Sequence, residues 1–283
     1  MQVQLGCYAC VVKRAIRLAG LITDDLETKK KHIDAMLKTF LAMRDGCSTP
    51  EISCEFNQYF GRQTGVYDFF AEAKKRSTEI GLEVLPKLQK VVEASEDPFV
   101  TSLLLAVSGN LIDYGNDPNF VLENIEKRIL AVLDEPYDHA AAKRLETEMQ
   151  AAKRIVYVLD NCGEAVVDRL MIERFPGKIT VAVRGKPIFN DAMRQDAIAS
   201  GITAPLIETG AGVPGVSRKY CSKEFLDTLD AADLIIAKGQ GNFESIEECG
   251  FKHVFFLLRV KCQMVADSLQ APINSLQIIE RRG

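Results

Sequence analysis

No apolar run in the chain approaches the ~20 residues of a membrane-spanning helix. The first residues, Met1-Gln-Val-Gln-Leu-Gly-Cys7, lack the charged start and apolar centre of a secretory leader, so a cytoplasmic location is expected. Basic charge is not in excess: 35 Lys and Arg stand against 39 Asp and Glu, for a net charge of −4. That balance argues against a nucleic-acid partner, which needs a basic face. Histidine is scarce, and His32, His139 and His253 show no metal-ligand spacing. No GxxxxGK[ST] loop is present, so nucleotide hydrolysis by a P-loop is not indicated. No CxxxxxR loop supports a covalent cysteine phosphatase, and no repeat or low-complexity tract is visible.

What is there is ordinary globular composition, 283 residues with 47% hydrophobic and 26% charged, enough for one large domain or two modest ones. Eight cysteines in a cytoplasmic protein are mostly reduced thiols. Residues 1–150 read as helices. Lys29–Met43 places Ile33, Met36, Leu37 and Phe40 on one face, and Val66–Ile80, Pro98–Leu111, Val121–Leu133 and His139–Ala152 also read as helices. Asp97-Pro98 looks like a cap followed by a first-turn proline. Residues 151–283 switch to short Val/Ile-rich runs at 154–159, 178–183, 203–207, 233–237, 253–258 and 275–279, alternating with amphipathic segments. That alternation predicts parallel βαβ units: an α/β fold in which a helical N-terminal domain packs on a Rossmann-like, mostly parallel α/β/α C-terminal domain, with the seam near Pro136.

The most informative stretch is Ile155-Val-Tyr-Val-Leu-Asp160-Asn161-Cys162-Gly163-Glu164. A buried strand ending in Asp-Asn delivers a carboxylate and an amide oxygen to the crevice outside the strand's carboxyl end. Hard divalent cations take such oxygens. The same residues would also serve as a helix N-cap, and the two readings are compatible. A second strand runs into Arg184-Gly-Lys-Pro187-Ile-Phe-Asn190-Asp191, whose bland reading is a turn. Arg184 is either a surface cation or a bidentate clamp for an anion. A third strand ends in Lys238-Gly239-Gln-Gly241-Asn242, where two glycines allow close backbone approach and Lys238 stands ready for phosphate oxygens. Lys261 follows a further apolar strand as a candidate second cation. Acids, amides and lysines at several strand ends suit a metal plus a phosphate.

These residues carry a family resemblance. Asp160-Asn161-x-Gly163-Glu164, Arg184-Gly-x-Pro187-x-x-Asn190-Asp191, Asp233 to Glu244 and Leu258-x-x-Lys261-Cys262 resemble the metal-dependent damage-control phosphatases, long described as domain of unknown function 89. Cys7-x-x-Cys10 and Gly109-Asn110-x-x-Asp113 match its largely prokaryotic branch. The resemblance runs through nearly the whole chain in the right order. It implies that Asp160, Asn161 and Asp191 hold one divalent ion, Mn, Mg, Co or Ni. It implies further that Asp191 and Lys238 serve catalysis, and that Gly163, Glu164, Arg184, Asn190, Asn242, Lys261, Asn110 and Asp113 border the phosphate and substrate. The substrate would be a small phosphorylated metabolite, a sugar phosphate or a damaged phosphate ester.

Two other classes remain open at this point. One is a methyltransferase using S-adenosylmethionine, although Asp-Asn-Cys-Gly-Glu is a poor substitute for a glycine-rich loop after the first strand. The other is a noncatalytic metabolite- or metal-binding protein. Cys7 and Cys10 read as structural thiols, a metal or disulfide staple completed by Cys47 and Cys54, or a redox pair. The physiological substrate, the native metal and the oligomeric state are not written in the sequence.

Overall fold

The computed structural model describes residues 1–109 and 122–283, and the side chains of residues 122–124 are not described. Five helices come first: α1 (Cys7–Ile22), α2 (Leu26–Met43), α3 (Thr49–Thr64), α4 (Ala71–Ala94) and α5 (Pro98–Ser108). Then come α6 (Leu122–Leu130), a 3-10 turn at Ala131–Asp134 and α7 (His139–Ala151). The second part alternates β1 (Ile155–Val158), α8 (Cys162–Ile172), β2 (Ile179–Val183), α9 (Arg194–Ala199), β3 (Leu206–Glu208) and α10 (Lys223–Ala231). It ends with β4 (Leu234–Lys238), α11 (Gly239–Ile246), β5 (His253–Arg259), α12 (Gln263–Leu269) and β6 (Leu276–Arg282).

The six strands form one sheet in the order β3-β2-β1-β4-β5-β6, parallel except for β6, which runs antiparallel to β5. The expected α/β architecture is therefore borne out. Strand order reverses between β1 and β4, which makes that seam the switch point where such sheets bind ligands. Side chains alternate across the pleat. Ile155, Tyr157, Leu234 and Ile236 join one core with α4, α5, α7 and α8. Val156, Val158, Ile235 and Ala237 join another with α10, α11 and α12. Helices α1, α2 and α3 close a third core around Phe40, Ile52 and Phe56, and α3 packs on α11. Packing thus crosses residue 150: helices α4 to α7 share their core with the sheet.

Local chemistry explains most element starts. Asp97 accepts from the Val100 N–H and is followed by Pro98, the cap expected from the sequence. Helix α3, which the sequence reading passed over, opens on a capping box between Ser48 and Glu51. Helix α4 starts later than expected and runs through Gly81 and Pro86. Gly81 is a packing position, because a Cβ there would stand 2.9 Å from Val166 of α8. Strand β3 starts at Leu206, later than expected, because Pro205 has no N–H for the ladder.

Candidate active site

Two loops are stitched together beyond the ends of β1 and β2. The Ala192 N–H donates to the Asp160 carbonyl at 2.8 Å, and the Cys162 N–H donates to the Asn190 carbonyl at 3.0 Å. Asn161 and Asp191 pair as an isolated antiparallel bridge. These bonds bring Asp160, Asn161 and Asp191 side by side, each nearly buried, on one wall of a cavity of about 470 Å³. Asn190 and Lys261 line the same cavity.

The three side chains are held from behind. The Asn161 Nδ2 donates to Asp160 Oδ2 at 3.1 Å and to Glu164 Oε2 at 3.3 Å, which turns its Oδ1 away from both acids. Arg184 is buried and donates from Nε to Asp191 Oδ2 at 2.6 Å. Its other nitrogens reach the Gly215 carbonyl and Asn242 Oδ1. Gly239, at φ 77°, lets the backbone lie against Asp160: a Cβ there would stand 1.9 Å from Asp160 Oδ2. Burial, then the proximity of Asp191 and Glu164, pushes the Asp160 carboxyl well above its ordinary range, with Lys261 and Arg184 pulling the other way. Burial also raises Asp191, against the opposing pull of Arg184. Two crowded, desolvated acids and an amide oxygen form a donor set whose charge a hard divalent cation would neutralise, so these residues fit the ion implied by the resemblance.

The structure separates the residues expected to touch phosphate into two groups. Asn190 and Lys261 stand in the cavity wall; Gly163, Glu164, Arg184, Lys238 and Asn242 do not. Lys238 in particular differs from expectation. Its ammonium is fully buried and donates to Glu164 Oε1 at 2.6 Å, Asp168 Oδ1 at 2.6 Å and the Ala106 carbonyl of α5 at 2.9 Å. All three of its donors are thereby used. Burial pulls its pKa down, but Asp168 and Glu164 outweigh that and hold it above the ordinary lysine range. Arg184 likewise grips Asp191 rather than standing open as a clamp for an anion. Asn242 donates to the Leu159 and Lys238 carbonyls and so knits β1 to β4. Asn110 and Asp113 lie outside the described residues.

The cysteine pair sits elsewhere than a remote staple would. Cys7 and Cys10 start α1 and line the cavity itself. Cys54 packs with Ala211 and Val213, and Cys47 lines a different hollow, so the four thiols are not gathered. All eight cysteines are free thiols. Burial pushes the Cys162 thiol well up, unlike an activated nucleophile. Among the described residues one cluster of three His, Cys, Asp or Glu side chains close enough to share an ion occurs, Glu148, His253 and Glu280. It lies at the start of β5, the opposite end of the sheet, and Arg282 donates to both of its carboxylates.

Sequence reasoning missed the contribution of α1. Cys7, Cys10, Arg14 and Arg17 are spaced three, four and three apart, one face of a helix. That spacing was the available signal, and attention to the cysteines alone hid it. Arg14 lines the cavity of the acids. Phe189, whose φ of 45° is a strained value for a residue with a Cβ, lies 4.6 Å beneath the Arg14 guanidinium.

Comparison with known proteins bears on the family and the fold. Residues 3–276 match the model of the damage-control phosphatase ARMT1-like domain. The chain is 30% identical to the damage-control phosphatase PH1575 of Pyrococcus horikoshii over 98% of its length and 97% of that protein. It is 31% identical to a damage-control phosphatase of Archaeoglobus fulgidus, covering 98% of each. The crystal structure of the Pyrococcus horikoshii DUF89 family protein superposes with a TM-score of 0.88 at 28% identity, covering 100% of both chains. With the family model matching residues 3–276 and the fold shared with a solved relative, this chain belongs to the damage-control phosphatase ARMT1-like family.

Proposed function

We propose that the protein is a metal-dependent phosphomonoesterase acting on small phosphorylated metabolites, with Asp160, Asn161 and Asp191 holding one divalent ion. The phosphatase role is supported by the relatives' names. The observation that carries the finer reading is the trio itself: two crowded acids and an oriented amide, sewn together at the switch point of the sheet. A bound ion would polarise the phosphoryl oxygens and acidify a water. The chain's own residues do the rest. Lys261, in the cavity wall, meets charge developing on the phosphoryl oxygens. Arg184 fixes Asp191 through one oxygen, so that the other is free to orient the attacking water. Lys238 acts at one remove: it fixes Glu164, Glu164 fixes Asn161, and the amide oxygen is thereby aimed. Hydrolysis breaks the P–O ester bond as water attacks phosphorus, and the alcohol leaves into the cavity.

The direct test is phosphate release over a panel of sugar phosphates and related esters, each with Mg, Mn, Co and Ni. Release from some esters, dependent on added ion and absent after chelation, is the expected result. Full turnover after rigorous metal removal would refute the metal-dependent reading.

A further inference from the structure

Beside the cavity of the acids lies a second hollow of about 280 Å³. The two share Cys10, Arg14, Phe189 and Asn190 as walls, so they adjoin. The second hollow is lined by three cations, Lys13, Arg14 and Arg17, and by no carboxylate. Among the described residues none of the three forms an ion pair, although ion pairs cover much of the surface elsewhere. Lys13 and Arg17 are one turn apart on α1, as are Arg14 and Arg17, an arrangement of like charges that repels itself. Burial, and to a lesser degree Arg17, pushes the Arg14 guanidinium down, while Glu244 and Asp191 only partly oppose that.

Two of the three cations are also held in place. Arg14 stacks over Phe189 at 4.6 Å and Arg17 over Phe70 at 5.8 Å. Phe70 and Phe189 meet edge to face at 6.3 Å. Stacking on an aromatic face leaves the guanidinium edge, with its N–H donors, directed outward. Planar donors fixed in this way recognise phosphate or carboxylate. A neutral sugar tail would leave three neighbouring positive charges without a counter-charge, and an apolar tail would desolvate them.

We propose that this hollow is a subsite for a second anionic group of the substrate, a phosphate or a carboxylate remote from the phosphate that is hydrolysed. The preferred esters are then small metabolites with negative charge at both ends: sugar bisphosphates or phosphorylated sugar acids. This rests on the phosphatase reading of the adjoining cavity and names the substrate class that cavity serves.

The test compares glucose 6-phosphate, 6-phosphogluconate and glucose 1,6-bisphosphate as substrates of the full-length protein with Mn²⁺. The two doubly anionic esters should show the higher kcat/KM, chiefly through KM, and the advantage should shrink as salt is raised. Arg17→Gln should cut the ratio of doubly to singly anionic kcat/KM on the order of tenfold, the scale of one charged hydrogen bond. A parent ratio near one, or an equal loss on all three esters in the variant, overturns the proposal. Calorimetric titration separates this from the phosphatase reading. In metal-stripped protein, with the chelator dialysed away, 6-phosphogluconate should bind more tightly than glucose 6-phosphate, and Arg17→Gln should remove the difference. If no ester is hydrolysed yet that binding difference stands, the phosphatase reading falls and the anion subsite survives. If esters are hydrolysed but neither rate nor binding senses the second charge, the subsite falls and the phosphatase survives.

Discussion

Helices that begin away from the cleft close their first turn with a side chain. Asp25, Asp97, Asp138 and Ser222 each accept from the backbone N–H three residues on, and Ser48 does the same for α3, the one capped helix whose first residues, Thr49 and Pro50, line the larger cavity. The other helices that begin at the two hollows do not. Gly6 before α1, Phe70 before α4, Asn161 before α8, Lys238 before α11 and Cys262 before α12 make no such bond. Of these, Gly6, Asn161 and Cys262 line the larger cavity and Phe70 the smaller. Asn161 is the telling case: its residue type is among the preferred caps, yet its amide is committed to Asp160 and Glu164 instead. Apart from α3, the chain forgoes stabilising caps where it gathers acids and cations, and uses them where it only needs helices. A helix start carries the positive end of its dipole, so starts gathered at the cleft favour an anion there.

That contrast is broken most severely at Asp160. Asp160→Asn should lower kcat/KM on the order of a thousandfold, the upper scale of losing one preorganised polar group. The same variant should not be less stable than the parent in metal-depleted protein. Burial and the neighbouring Asp191 and Glu164 already disfavour a charge there, so a neutral isostere relieves the crowding. Thermal melts give an independent readout. Added Mn²⁺ should raise the parent's Tm in proportion to its binding and leave the variant's nearly fixed. A variant that keeps both turnover and ion-dependent stabilisation would move the ion elsewhere.

Two lysines that follow strands sharpen the comparison next. Lys238 is buried between Glu164 and Asp168, whereas Lys261 is exposed in the cavity wall. Lys238→Met leaves two buried carboxylates without their cation and should cost about 3–5 kcal/mol of stability. Asp168 already feels its burial: its carboxyl is pushed up to about 7 despite the lysine, and among the described residues its Oδ2 has no hydrogen-bond partner. Lys261→Ala should change stability by less than about 0.5 kcal/mol, while lowering kcat/KM on the order of a hundredfold. Denaturant melts and kinetics on the same two preparations decide it. Should Lys238→Met melt like the parent, or Lys261→Ala turn over normally, the assignment of buried and working lysine is reversed.

The difference between these lysines was partly legible in the sequence. Apolar runs located the strands, and the acids and amides after them located the crevice, because buried strands of α/β sheets read as continuous hydrophobic stretches. The period of two then says where the next side chain points. Leu234, Ile236 and Lys238 share one face, and the first two lie in the core with α8, so Lys238 follows them inward. Val156, Val158 and Asp160 share the other face. Arg184 is in phase with Ala182 and reaches Gly215 and Asn242 on that same side. Expecting both cations to face phosphate took the strand end as the whole signal and ignored its parity. What no local pattern carried was the approach of α1. That contact joins residues far apart in sequence, Arg14 to Phe189, and depends on how the first three helices dock.

The smallest effects belong to the capped helix starts, and they test whether the two kinds of start are separable. Asp97 accepts from the Val100 N–H at 3.0 Å and Asp138 from the Ala141 N–H at 2.9 Å. Neither side chain lines either hollow. Asp97→Ala and Asp138→Ala should each lower stability by about 0.5–2 kcal/mol, the usual cost of losing a cap. Below the melting transition each should keep the parent's kcat/KM within about twofold, because a surface change remote from the reacting groups removes no contact that strengthens in the transition state. Chemical denaturation gives the first number and initial rates at moderate temperature the second. A cap variant that loses turnover without losing stability would show that the starts of α5 and α7 feed into the cleft, and the division drawn here between supporting and working helix ends would fail.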